Sequence, residues 1–533
     1  MQRTLRVATT LFIGWLAMAG MGVASAAEGA KGSTADHSKF KELQQDFQSG
    51  PEVTKVCLAC HNKAAEQIMH TQHWKWEFVN PQSQQKLGKI HIINNFCMSA
   101  QTNLGGCATC HISYAAMTDK GVKNDPNLID CLACHDTTGA LSKPSGLGGA
   151  VFAKDIELPP GSGQIIRGQN LQKIAQKVGK TSRKTCGACH FLGGGGDAVK
   201  HGDLDTSLED PDKALDVHMD SDGLNFTCAT CHQTDGHQVP GSRYAPTAVD
   251  KDGAIVRGKG GERNPATCQA CHGQKPHKDK NAGKLNNHTN KLACQTCHIP
   301  AFARGQIATK MSWDWSTGGK RDEAGKQITL KDDDGNKVYE SRKGTFTYAE
   351  NVKPDYIWFN GDVNYTLRDT KVDKSQQQPI WINQYLGSAK DGKSMIWPVK
   401  TFRGKQPYDA EYKTLVVTHV AGADDTAYWK NLNWENAIET GMKAAGMPFS
   451  GKVDFIETAS QWPITHMVAP KDKAVACNEC HAKGGRLDKV DGIYIPGRDS
   501  IPLLDNGIKL LALLTLLAMI GHGVLRIFTS KKH

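Results

Sequence analysis

The sequence predicts a mainly α-helical fold with long loops and few short strands, wrapped around buried groups other than its own side chains and closed by one C-terminal transmembrane helix. Three observations carry that expectation. The pattern C-x-x-C-H recurs eight times and uses sixteen of seventeen cysteines. Hydrophobic residues make up only 39% of the chain and aromatic ones 7%, against about 45–50% apolar in ordinary globular domains. Residues Ile508 to Phe528 form a mostly apolar stretch with a leucine-rich centre.

The repeated pattern stands at Cys57-Cys60-His61, Cys107-Cys110-His111, Cys131-Cys134-His135 and Cys186-Cys189-His190, and again at Cys228-Cys231-His232, Cys268-Cys271-His272, Cys294-Cys297-His298 and Cys477-Cys480-His481. Two intervening residues let both thiols reach the vinyl groups on one porphyrin edge, and the adjacent histidine turns beneath the ring to meet the iron. Zinc sites set their cysteine pairs apart from the next ligands by a loop. Disulfide chemistry gives no reason for a histidine after the second cysteine every time. The motifs therefore predict eight covalently bound haem c groups in a multihaem cytochrome c fold. Those haems fill the core that the lean apolar content leaves open, and their propionates, at roughly −8 in sum, largely cancel the +10 net charge. A nucleic-acid partner is excluded on that ground.

Arg3 and Arg6, an apolar run from Ala8 to Val23 and Ala24-Ser25-Ala26 read as a secretory signal peptide over 1–26. The 508–528 stretch is long enough to span a bilayer, and Arg526, Lys531 and Lys532 after its apolar centre orient the 529–533 tail to the cytoplasm. Residues 27–500 are then expected as a periplasmic domain held at the inner membrane. Within it, 299–476 carries no haem motif but eight of the eleven tryptophans. We read it as a covering segment with a few short strands and helices: "KTLVVTHV" is strand-like and "WENAIETGMKAAG" is the best helix candidate. No sheet pattern repeats in the motif-bearing part, which is expected to be helices and loops.

A bis-histidine haem needs a second imidazole. Of 21 histidines, eight belong to the motifs; His37 lies in a polar leader, His522 in the apolar stretch and His533 at the end. His70, His73, His91, His201, His218, His237, His277, His288, His419 and His466 remain as candidates. His522 is read as a plain helix residue, the alternative being ligation of a haem shared with a membrane partner.

With these motifs, "NNFCMSA" before the second, "CGACHFLGGGGDAVKHGDLD" around the fourth, "CQTCHIP" at the seventh and "WPITHMVAP" before the eighth, the sequence resembles the octahaem tetrathionate reductase family of c-type cytochromes. The resemblance covers nearly the whole secreted portion; the C-terminal anchor departs from it. It implies a catalytic haem at the second motif with a lysine ligand, for which Lys180 is the choice and Lys184 the alternative. It further implies His73, His201, His218, His237, His277, His288 and His466 as distal ligands opposite His61, His135, His190, His232, His272, His298 and His481, with His111 retained in the second motif. Cys97, the one cysteine outside the motifs, resembles the family's unpaired active-site cysteine, and a thiolate there is expected as the partner for sulfur exchange with tetrathionate. Asp369 and Lys374, with Lys371 as the alternative lysine, match its aspartate and anion-holding lysine.

The expected function is reduction of a small sulfur or nitrogen oxyanion, with tetrathionate, nitrite and hydroxylamine as the family's substrates. Electrons are expected from a membrane quinol oxidase or a small cytochrome. The rival is an electron-transfer cytochrome without a substrate of its own, linking the quinol pool to other cytochromes. Acidic loops such as "KDDDGNK" are candidates for a structural Ca2+.

Overall fold

In the computed structural model, residues 35–118, 121–248, 250 and 266–530 are described. The expected signal peptide over 1–26 and the terminal residues 531–533 lie outside them.

The motif-bearing half is built from short helices, because each C-x-x-C-H unit needs only about one turn to bring its cysteines onto one side. In chain order these are α1 (Gly50–Cys60), α2 (Ala64–Met69), α3 (Gln72–Lys75), α4 (Leu104–Cys107), α5 (Leu132–His135), α6 (Leu171–Gln176) and α7 (Arg183–His190). They continue as α8 (Cys228–Cys231), α9 (Gln269–His272), α10 (Ala282–His288) and α11 (Gln295–His298). Side-chain caps start several of them: Thr71 accepts from the Trp74 amide at α3, Asn170 from Lys173 at α6, and Ser182 from Thr185 at α7. Three two-stranded ladders interrupt the loops, β1 (Phe78–Val79) with β2 (Lys86–Leu87), β3 (Met117–Thr118) with β4 (Gly121–Val122), and β5 (Ile156–Glu157) with β6 (Ile165–Ile166).

The segment 299–476 corrects the expected fold class. In place of a few short strands it forms a ten-stranded sheet: β7 (Thr309–Asp314), β8 (Thr329–Lys331), β9 (Lys337–Glu340), β10 (Gly344–Ala349), β11 (Asp355–Phe359), β12 (Val363–Tyr365), β13 (Ile380–Tyr385), β14 (Met395–Asp409), β15 (Thr414–Leu415) and β16 (Val453–Pro463). The order is β12-β13-β16-β14-β7-β10-β9-β8, with β11 and β15 also on β14. Its spine is the antiparallel pair β14 and β16, in register from Val399 opposite Pro463 to Asp409 opposite Val453. The pairs β13 with β16 and β14 with β7 are parallel. The sequence hid this sheet for a physical reason. Met395 to Lys400 at the start of β14 are buried without alternation, so no polar residue marks a solvent face. Pro398, Gly404 and Pro407 within the strand add turn signals to it.

Helices α12 (Tyr428–Asn431) and α13 (Trp434–Ala444) pack beside the sheet, and α13 occupies the predicted helix segment. Asn433 caps it, and Ala437, Ile438, Gly441 and Met442 form its buried stripe. Of "KTLVVTHV" only Thr414 and Leu415 are in a strand. The last motif starts at α14 (Cys477–Cys480), and the chain ends in α15 (Pro502–Ser530). Helix α15 has a mean hydropathy of 2.0 over its most apolar window and none of that window is buried. It begins before the predicted 508 and carries the expected span.

Candidate functional site

The sheet presses a tight loop against the second motif. Asn94 makes the turn: its side-chain oxygen accepts from the amides of Phe96 (2.9 Å) and Cys97 (3.1 Å), and its own amide donates to the Met98 carbonyl at 2.6 Å. Met98 takes the left-handed conformation, φ 63°, that the reversal requires. Phe96 anchors the loop by stacking at 4.8 Å on Phe402 and 6.2 Å from Trp462. Gly404 lets it approach: a Cβ there would stand 3.0 Å from the Asn95 Cβ and 2.8 Å from the Thr458 hydroxyl. Asn103, just before α4, accepts from the amides of Val420 and Ala421, each at 2.9 Å, and donates to the Thr418 carbonyl at 3.0 Å. The segment expected merely to cover the haem region therefore positions Cys97 and the second motif together.

Around Cys97 the charge is mixed, since Lys343 pairs with the buried Glu340 at 2.7 Å and Glu340 also acts on Lys310. Lys343 and Lys310 both act on its thiol, as does Cys107 of the second motif. Lys310 is buried with its ammonium 3.5 Å from the centre of the Phe346 ring and 4.4 Å from that of Trp313. Burial and the nearby Lys343 lower its pKa to about 7. Burial pushes the Cys97 thiol up to about 12, which outweighs the two lysines. The thiolate expected from the sequence is thus replaced by a neutral thiol at ordinary pH.

The eight motif histidines divide into two kinds. Facing imidazoles stand opposite six of them: His37 opposite His61 (ring centres 6.4 Å apart), His73 opposite His190 (6.2 Å), His466 opposite His232 (6.4 Å), His218 opposite His272 (5.9 Å), His277 opposite His298 (6.1 Å) and His288 opposite His481 (6.1 Å). That gap fits an iron between two imidazoles, since metal–nitrogen bonds of about 2 Å and roughly 1 Å from each ring centre to its nitrogen sum to about 6 Å. His237 lies within electrostatic reach of the seventh, His135, and of His61, which with burial lower its pKa. Protein acceptors orient these rings through Nδ1. His135, His232 and His481 donate to the carbonyls of Gly179 (2.8 Å), Pro240 (2.9 Å) and Pro496 (2.9 Å). His237 and His288 use Gln67 and Lys284, both at 2.8 Å.

His111 is the exception. It is fully buried between Trp74 and Trp76, its Nε2 donates to the Trp74 carbonyl at 2.5 Å, and its Nδ1 accepts from the Ser113 hydroxyl at 2.7 Å. Both ring nitrogens have partners within the protein. Burial, foremost, holds its pKa down to about 4, so the ring is neutral. What the structure brings to the second motif is Lys143. Its ammonium donates to the His111 carbonyl at 2.7 Å, pairs with the buried Asp130 at 2.9 Å, and acts electrostatically on Cys110.

Several expectations are corrected by these positions. Lys180 and Lys184 are both exposed, away from the second motif's contacts. His201 packs edge-on against Trp462 at 5.3 Å, with no facing motif histidine. His37 takes the facing position that its polar surroundings had argued against. Asp369 is exposed on a surface cleft of about 330 Å³ lined also by Lys86, His91 and Arg368. Lys374 is exposed and pairs with Asp454 at 2.6 Å, and Lys371 donates to the Tyr412 carbonyl. Lys310 and Lys343, not these, stand beside Cys97. Sequence spacing held no signal for Lys143 or Lys310, because long-range sheet and loop packing places them. Among the described residues no group of three or more His, Cys, Asp or Glu side chains is set to hold a metal ion.

Sulfur proximities give the order of the motifs in space. Thiols of neighbouring motifs lie close in pairs: Cys57 with Cys131, Cys110 with Cys189, Cys186 with Cys228, and Cys268 with Cys294. Cys134 lies within electrostatic reach of Cys186 and Cys189, Cys231 of Cys268, and Cys477 and Cys480 of Cys297. The backbone agrees at the last step, where the Val475 amide donates to the Cys297 carbonyl at 2.9 Å. The motifs therefore run one, three, four, five, six, seven, eight, with the second branching from the fourth.

The sheet and the last motif, residues 310–484, match the family described as "Cytochrome c bacterial". The crystal structure of octahaem cytochrome c from Shewanella oneidensis superposes with a TM-score of 0.74, at 37% identity, over 88% of this chain and 98% of that one. The chain belongs to the octahaem c-type cytochromes. An uncharacterized protein of Archaeoglobus fulgidus is 25% identical over 266 residues, 42% of this chain and 86% of that protein. Membership in the cytochrome family supports covalently bound haem c, a multihaem redox role and an extracytoplasmic location for this octahaem cytochrome.

Proposed function

We propose that this cytochrome carries eight haems and reduces a small sulfur or nitrogen oxyanion at the second motif, with Lys143 in place of an imidazole as the protein's axial ligand. The observation behind the reading is that His111 spends both ring nitrogens on Trp74 and Ser113 while Lys143 is set beside the same motif. Bound haem supplies one-electron transfer between neighbouring motifs and a Lewis-acidic iron at the second. The cysteine pair at each motif would hold it by thioether bonds, and the six facing histidine pairs, with His237 near His135, would ligate the other irons.

The chain's own residues do the remainder. Asp130 and the His111 carbonyl fix Lys143, whose amine binds a metal only after losing its proton. Lys310 and Lys343 supply positive charge for an anion beside Cys97, and the Cys97 thiol is a proton-bearing neighbour. For tetrathionate the balance is two electrons in, the central S–S bond broken, and two thiosulfate ions out, with no net proton. Helix α15 tethers the protein to the inner membrane on its periplasmic side.

Purified holoprotein with reduced viologen should consume tetrathionate, nitrite or hydroxylamine, and its oxidised electron paramagnetic resonance spectrum should contain one haem unlike the rest. Eight equivalent bis-histidine spectra and no turnover would return the protein to the pure electron carrier.

A further inference from the structure

The eighth motif lies at one end of the motif series and next to the membrane helix, and the segment joining the two is a folded part of the domain. Between them, Leu487, Val490 and Ile495 are buried against Tyr356 and Ile396 of the sheet. Trp358 donates to the Asp491 carbonyl at 2.8 Å. Arg498 gathers the segment: its guanidinium donates to the carbonyls of Leu487 (2.7 Å), Val490 (2.6 Å) and Ile493 (2.7 Å) and pairs with Asp499 at 2.7 Å. The strap then returns to the motif itself. Pro496 accepts from His481 Nδ1 at 2.9 Å. Gly497, at φ 87°, lies so close that a Cβ would stand 2.3 Å from the His481 carbonyl oxygen. From Pro496 to Pro502, where α15 begins, six residues remain, and a fully extended chain covers at most about 22 Å over six residues.

We infer that the eighth motif is the port through which electrons pass from a quinol-oxidising membrane protein into the haem series, with the 485–501 strap acting as a bracket that holds this port near the bilayer surface. The inference rests on the membrane-tethered reading above. Helix α15 is apolar and wholly exposed, so it fits lipid. A donor drawing on lipid-dissolved quinol then releases its electrons at the level where the strap ends. Each quinol yields a quinone, two protons and two electrons. Haem held at motifs eight, seven, six, five, four and two would carry these electrons one at a time along the order that the cysteine proximities give.

Native membranes that contain the full-length holoprotein and their own quinol-oxidising proteins, supplied with a lipid-soluble quinol, test this by the rate of haem reduction, read from absorbance. Spacers of six or twelve prolines inserted between Ser500 and Ile501 leave the strap intact and lift the domain by about 19 or 37 Å. Quinol-driven reduction is expected to slow in step with spacer length, by about tenfold or more at twelve prolines. Complete reduction by dithionite at the parent rate shows that the domain is folded. Spacer proteins reduced by quinol as fast as the parent would overturn the inference, as would a parent chain that quinol does not reduce. Neither result bears on turnover at the second motif, which the viologen assay reads separately.

Discussion

The second and third motifs share the spelling C-x-x-C-H and little else. At the third, His135 donates through Nδ1 to Gly179, and His237 lies within its electrostatic reach. At the second, His111 is locked at both nitrogens between two tryptophans, and a lysine from a distant loop takes up the space beside it. The difference teaches that the motif's spelling is local, whereas the partners its histidine meets are decided by what the rest of the chain packs around it.

The largest effect that would break this comparison is at Lys143. Lys143→Met should leave eight haems attached and lower kcat by about a hundredfold or more, with a change confined to one haem in the paramagnetic resonance spectrum. The matching change at the third motif, His237→Met, should alter a different haem and leave the second untouched. His111→Gln sharpens the contrast. If His111 is no ligand, the spectrum of the second haem should stay nearly as it was, and stability should fall by about 1–3 kcal/mol because buried partners at Trp74 and Ser113 lose a hydrogen bond.

Next in size is Cys97. Cys97→Ser should lower kcat/KM about tenfold, and the parent thiol should resist alkylation at pH 8, because burial keeps it protonated until about pH 12. Rapid alkylation at pH 8 would restore the thiolate expected from sequence.

The sequence makes covalent chemistry legible and leaves spatial chemistry obscure. The cysteine–histidine spacing is local, so all eight attachment sites can be read off directly. Distal histidines are non-local, yet five of the seven nominated ones face a motif histidine, because few histidines remain to choose from. His201 and His37 exchanged roles for a reason spacing cannot show: Trp462 on β16 claims one ring, and the fold returns the N-terminal segment to His61. The sheet was hidden because the start of β14 is buried without alternation, which erases the period-two pattern. With it went the residues the sheet positions, Lys310 and Lys343, and the charged run holding Asp369 and Lys374 looked the more plausible pocket.

The smallest effects separate those two regions. With a pKa near 7, Lys310 is charged below pH 7 and loses its proton as pH rises through that value. Affinity for an anionic substrate should therefore weaken as pH rises from 6 to 8, seen as a rising KM with kcat little changed. Lys310→Met should weaken binding at pH 6 by about threefold to tenfold and flatten the profile, whereas Lys310→Arg should keep affinity high through pH 8, since guanidinium does not titrate there. Asp369→Asn and Lys374→Ala should change turnover by less than about twofold, because both side chains stand in solvent and the Lys374–Asp454 pair is screened. A strong effect at Lys374 with none at Lys310 would move the anion site off the sheet's Cys97 face and back to the loop.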